Sequence, residues 1–120
     1  MKLSVASLLL LFAALEIPQL CLAKQIIRGQ ASWYGKAHQG RRMANGRCFD
    51  RHKFTAASRT IPLGRKARVT NLRTGKRIIV TITDRGPKRR DRVIDLSEAA
   101  AAAIGIKARG VGRVAVKELP

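Results

Sequence analysis

Acidic side chains are what this 120-residue chain has least of: 7 Asp and Glu stand against 25 Lys and Arg, a formal net charge of +18. Such a balance favours polyanionic partners and says little about fold. Cysteine is scarce too. Cys21 and Cys48 are the only two, so no disulfide framework can hold the fold together. His38, Cys48 and His52 fit no closed zinc site by spacing, and neither a metal nor another cofactor is expected. There is no nucleophile triad and no glycine loop of the kind that cradles phosphates. Internal repeats, low-complexity linkers and acidic or Pro-rich tails are missing as well, which leaves a single domain.

The one long apolar run lies at the start. Residues 3–15 are apolar except for Ser4 and Ser7, and Lys2 precedes them. The run is too short to span a bilayer comfortably, and no second one follows, so no transmembrane segment is expected. Cys21-Leu22-Ala23 places small side chains where signal peptidase needs them. An export signal over residues 1–23, cleaved after Ala23, is therefore expected. Pro18-Gln19-Leu20 before Cys21 argues against a lipid anchor. Residues 24–120 then form the domain, a monomer in the periplasm or secreted. Only Lys2 and Glu16 leave with the signal, so 24 basic and 6 acidic residues keep the charge at +18. Outside the cytoplasm that charge meets anionic envelope polymers and lipid headgroups, not nucleic acid. Cys48 is left alone, either a small buried hydrophobe or a free thiol.

The domain reads as short strands with one helix. Strands are expected at 28–34, 67–72, 76–84 and 112–118, with a turn at Arg73-Thr74-Gly75 and a long polar loop over 36–53. Ile78, Val80 and Ile82 share one face of the third strand, and Asp84 has their parity. Val114 and Val116 share a face of the last. A helix is expected over 97–104, with Ser97 as N-cap, Glu98 in the first turn and Gly105 as the stop. Mixed strands with one short helix suggest a closed β-barrel, which leaves few exposed edges.

Six carboxylates in the domain permit elimination. Asp91 sits in the charged run 88–92, where a solvated ion pair is the natural reading. Glu118 lies two residues from the end, Glu98 belongs to the helix start, and Asp50 to the polar loop. Asp84 and Asp95 remain. Asp84 stands at the rim of an apolar face, partly withdrawn from water, which suits a proton donor. It reads equally as a turn aspartate bonded to the Gly86 amide or to an Arg. Asp95 reads as a functional carboxyl or as capping chemistry before the helix. Trp33 and Tyr34 form either a platform for sugar rings or part of the core. Arg47, Arg85 and the run 88–92 either grip an anionic ligand or form a solvated basic face.

Five segments carry a resemblance. They are Ala31-Ser32-Trp33-Tyr34-Gly35, Ala44-Asn45-Gly46, Phe54-Thr55-Ala56-Ala57 with Ile61-Pro62-Leu63-Gly64, Val69-Thr70-Asn71-Leu72, and Asp84-Arg85-Gly86-Pro87 followed by Ile94-Asp95-Leu96-Ser97. Their order and spacing resemble the rare lipoprotein A family over about residues 29–118. The resemblance implies a mainly β fold, a single six-stranded double-psi β-barrel with one or two short helices, related to expansins and family 45 endoglucanases. It also implies endolytic lytic transglycosylation of peptidoglycan glycan strands, which leaves 1,6-anhydro-muramic ends. Asp84 and Asp95 would be the catalytic carboxyls, with Trp33, Tyr34, Arg47, Ser58 and Arg85 as substrate contacts. Three positions depart from the family pattern: Arg47 stands where Glu is usual, Ser58 where His is usual and Met43 where Thr is usual. A non-catalytic, expansin-like glycan-binding module is the alternative.

Overall fold

Alternation builds most of the wall. The computed structural model describes residues 25–120; the expected export signal, its cleavage after Ala23 and Cys21 lie outside the described residues. The strands are β1 (Ile26–Tyr34), β2 (Thr55–Ala57), β3 (Lys66–Asn71), β4 (Arg77–Asp84), β5 (Arg92–Ser97) and β6 (Val111–Glu118), with helix α1 (Glu98–Ala103) between the last two. A 3-10 turn, Lys36–His38, opens the long loop. The strands close into a barrel in the order β1-β5-β2-β4-β3-β6. β1·β5 and β2·β4 run parallel and every other pair antiparallel. The six-stranded barrel implied by the resemblance is the one found.

Two of these strands, β2 and β5, go beyond those expected from alternation. β2 has three residues, all buried, so it shows no polar–apolar period. β5 follows the charged run 88–92 directly, which hides its inward pair Ile94 and Leu96.

Inside the barrel, Val69, Val80, Ile82, Ile94, Leu96, Val114 and Val116 are buried together. Each such side chain contributes on the order of 1.5–3 kcal/mol. Alanines at 31, 56 and 67 fill the narrower positions. Helix α1 lies against this core through Ala100 and Ala101, whose small side chains permit close approach. Ser97 caps it as expected: its Oγ accepts from the Ala100 N–H and donates to the Lys53 carbonyl at 2.6 Å. Gly105 ends it at φ +80°, where a side chain would be strained. Buried Asn71 ties β3 to this end of the helix by donating to the Ile104 carbonyl at 2.7 Å.

Candidate active site

One row of residues crosses four adjacent strands on the outer side of the wall. Ser32 on β1 stands opposite Asp95 on β5, Asp95 opposite Ala57 on β2, and Ala57 opposite Asp84 on β4. Neighbouring strands lie ~4.8 Å apart, which puts the two aspartate Cα atoms roughly 10 Å apart. Between them Ala57 carries only a methyl group, so the space above it stays open. The row floors a cleft of about 410 Å³ walled by Trp33, Tyr34, His38 and the segment from Arg85 to Lys88.

A bulge decides where Asp84 sits. Ala56 pairs with Ile82 but Ala57 pairs with Asp84, so Thr83 is the extra residue. Simple alternation would leave Asp84 on the inner face with Val80 and Ile82. The bulge brings it instead into register with Ala57 and Asp95. The loop between β1 and β2 then fixes the carboxyl. That loop folds on itself through an Arg42–Cys48 bridge and the Gly40 N–H to Phe49 carbonyl bond, and its Asn45 N–H reaches the Thr83 carbonyl at 3.1 Å. Asp84 Oδ1 accepts the Ala44 and Arg85 N–H groups, both at 2.9 Å. Neither the Gly86 amide nor a guanidinium supplies these bonds, as a simple turn would have it. Oδ2 receives no hydrogen bond from the described residues.

Asp95 is held from the other side. Its Oδ1 accepts the Ser32 hydroxyl, and Arg92 donates to that Ser32 Oγ at 3.2 Å. Donation runs from Arg92 through Ser32 to the carboxylate. Capping of α1 belongs to Ser97 alone, so Asp95 has no part in the helix start. Gly86 stands at φ +134°, where a side chain would be strained, although a Cβ there would meet only ordinary contacts, 3.9 Å from the Ala57 methyl and 4.0 Å from Asp95 Oδ2. The Gly86–Pro87 peptide is cis, and Arg59 donates to the Pro87 carbonyl at 2.7 Å.

The aromatic pair divides its work. Trp33 packs against the core and also lines the cleft; its Nε1 donates to the Lys107 carbonyl at 3.1 Å. Tyr34 stacks on Phe49 at 4.5 Å and meets the edge of His38 at 5.3 Å. Its hydroxyl is buried without a hydrogen-bond partner. Burial, and then the charges of Asp84 and Asp95, push the phenol well above its ordinary ionisation range.

Other expected contacts lie elsewhere. Arg85 borders the cleft, but its guanidinium donates to the Ser58 carbonyl at 2.8 Å and the Ile61 carbonyl at 2.6 Å. Ser58 is buried behind the site, with its hydroxyl accepting from the Thr60 and Ile61 N–H groups. Arg47 is exposed on the loop, outside the cleft wall. Cys48 is an exposed free thiol, not a buried hydrophobe. Lys88 and Arg92, from the basic run 88–92, line the cleft, and so do His38 and Ser32, which were not expected there. Ser32 lies inside a segment that carries the resemblance, but what marks it as a site residue is its pairing with Asp95, which only the fold shows. Among the described residues no cluster of three or more His, Cys, Asp or Glu could hold a metal, and no helix is long and apolar enough to cross a membrane.

The barrel has relatives among known proteins. Residues 26–116 match the lytic transglycolase family. The chain is 55% identical over 93 residues to a probable endolytic peptidoglycan transglycosylase RlpA of Synechocystis, covering 78% of this chain and 29% of that protein. It is 51% identical over 89 residues to the endolytic peptidoglycan transglycosylase RlpA of Pseudomonas aeruginosa, covering 74% and 26%. The chain thus spans less than a third of either relative. Among solved structures, a Streptomyces papain inhibitor superposes with a TM-score of 0.67 at 25% identity, covering 82% of this chain and 98% of that one. A Clavibacter michiganensis expansin superposes at 0.63 with 22% identity, covering 80% and 51%. On the match over residues 26–116 and these identities, the chain belongs to the lytic transglycolase family of RlpA-like double-psi β-barrels.

Proposed function

We propose that the chain acts outside the cytoplasmic membrane as an endolytic peptidoglycan transglycosylase, with Asp84 as its acid. The observation that carries this is the row Ser32–Asp95–Ala57–Asp84, two carboxyls facing one open cleft across a residue too small to fill it. In the reaction, Asp84 gives a proton through Oδ2 to the bridging oxygen as the C1–O bond breaks. The same carboxyl then takes the proton of the muramoyl 6-hydroxyl as O6 bonds to C1. One group serves both steps and no water is consumed, which suits a carboxyl that keeps one oxygen, Oδ2, unbonded. Asp95, fixed by Ser32 and Arg92, places negative charge near the sugar as positive charge develops on it. Trp33 and Tyr34 wall the sugar rings, and Lys88 and Arg92 offer charge to stem-peptide or lactyl carboxylates. Ser58 acts from behind, holding Arg85 and through it the 85–88 wall.

A second reading is supported by two of the three departures from the family pattern. Neither Arg47 nor Ser58 brings a titrating acid or imidazole to the cleft, which favours a module that grips glycan without cutting it. Purified sacculi and stem-peptide-free glycan, incubated with the protein and analysed by mass, separate the two. Anhydro ends are expected, and Asp84→Asn is expected to lower their rate by about 10²–10⁴ with an unchanged melting temperature. Asp95→Asn should cost about tenfold to a hundredfold. Wild-type rates in Asp84→Asn would remove that carboxyl from the mechanism. Sedimentation with sacculi but no product would establish the binder.

A further inference from the structure

The wall on the far side of the barrel has a different chemistry. In the closed strand order β3 stands opposite β5, and β6 opposite β2. The β6–β3 side therefore faces away from the cleft. Register sets its outward side chains in rows. Ile26, Lys117, Arg68 and Ile79 form one row across β1, β6, β3 and β4, and Arg28, Ala115, Thr70 and Arg77 form the next. Arg113 follows, with Leu72 bonded beside it through its N–H. None of Arg28, Arg68, Arg77, Arg113 and Lys117 takes part in a salt bridge among the described residues.

Apolar side chains stand among these cations. Ile26, Leu72 and Ile79 are 44%, 45% and 51% exposed. A groove of about 460 Å³ runs beside Leu72, with Ile106 and Val111 in its lining and Arg73, Arg109 and Arg113 around it. A soluble polyanion would use only the cations and leave isoleucine in water. A bilayer of anionic lipids uses both: phosphates meet Arg and Lys, and apolar side chains enter the boundary between headgroups and acyl chains. The row of apolar, cation, cation, apolar matches that layering, with long basic side chains reaching up to the headgroups while their stems stay low.

We infer that the β6–β3 wall is a docking face for anionic phospholipid membranes. Seated this way, the barrel holds its cleft open on the side away from the bilayer. The inference does not depend on the catalytic reading of that cleft.

Flotation of the full chain with phosphatidylglycerol-containing vesicles and with pure phosphatidylcholine vesicles tests it. Residues 3–15 can enter either bilayer, so the quantity read is the ratio of the two affinities. R68E/R77E/K117E is expected to lower that ratio by at least about fivefold for each cation lost. R41E/R42E/K53E makes the same charge change on the cleft-side loop and should leave the ratio within about twofold. I26S/I79S should weaken phosphatidylglycerol binding severalfold while leaving retention on soluble polyphosphate unchanged. Single I79S and R77E variants, at exposed positions, repeat both arms should a multiple variant melt early. An equal loss in the loop variant would mean diffuse charge alone and overturn the docking face. Unchanged vesicle binding in I26S/I79S would mean a polyanion surface and overturn it equally.

Discussion

Tyr34 is the chain's one phenol, and its hydroxyl is buried with no partner. Leaving such a group unsatisfied costs about 1–3 kcal/mol, a cost that a glycan bound as proposed would offset by accepting a hydrogen bond from it. Burial first, then Asp84 and Asp95, raise its ionisation above the ordinary 10.0, so it remains a donor throughout the working pH range. The sign of the stability effect follows. A folded phenol that holds its proton more tightly stabilises the protein below about pH 10, and this contribution fades as pH rises further and the unfolded chain ionises first. Absorbance titration at 295 nm should therefore show the tyrosine resisting alkali until the fold is lost. Tyr34→Phe should leave stability at pH 7 unchanged or raise it by about 1 kcal/mol, flatten the alkaline decline, and weaken glycan binding about fivefold to tenfold. A phenol that titrates normally in the folded protein would contradict this account. Scarcity made the two aspartates legible at this scale, since the other carboxylates have evident local partners. The reach of Ser32, Arg92 and His38 was not legible, because it depends on strands 60 or more residues apart in the case of Ser32 and on the 3-10 turn for His38.

Among the elements, α1 depends on one buried hydroxyl. Ser97 Oγ accepts from the Ala100 N–H and donates to the Lys53 carbonyl, so it joins the helix start to the loop before β2. Ser97→Ala removes these bonds, and the one its Oγ accepts from the Thr55 N–H, at a position with no solvent access. The expected loss is about 2 kcal/mol, above a surface cap because the bond to the Lys53 carbonyl is lost as well. Urea unfolding would measure it, and a loss under about 0.5 kcal/mol would show that the cap contributes little. Cap, anion and stop all sit within a few residues here, which is why the helix is readable from sequence. β1, β3, β4 and β6 are readable because each alternates toward the core along most of its length. β2 is not, since all three of its residues are buried. The bulge at Thr83 is equally silent, for it arises from the pairing of two strands and no residue type announces it. That one extra residue moves Asp84 out of the Ile82 register and into line with Asp95.

At the scale of the whole molecule, repulsion is built into the fold. With 25 basic residues against 7 acidic ones, most cations have no carboxylate to meet. The exposed ion pairs, Arg89–Asp91 at 2.9 Å and Lys107–Glu98 at 2.9 Å, offset little. Two like charges 10 Å apart in water repel by roughly 0.4 kcal/mol before screening. The register that stacks Lys117 beside Arg68 brings neighbours nearer than that, whereas unfolding lets them separate. Salt acts directly on this term, because the screening length falls from about 30 Å at 0.01 M to about 3 Å at 1 M. Relief of even five such pairs amounts to about 2 kcal/mol, which in a domain of this size corresponds to a rise in melting temperature of roughly 8–16 °C. Calorimetry in sodium chloride from 0.01 to 0.5 M should show that rise, steepest at the low end. Sodium sulfate would confound it by strengthening apolar burial as well, so chloride is the salt to use. R68E/R77E/K117E should flatten the curve, since it removes repulsion within the rows across β6, β3 and β4. A melting temperature that stays level or falls with salt would mean the cations are already compensated in the fold, and the charge would then have no destabilising part to play.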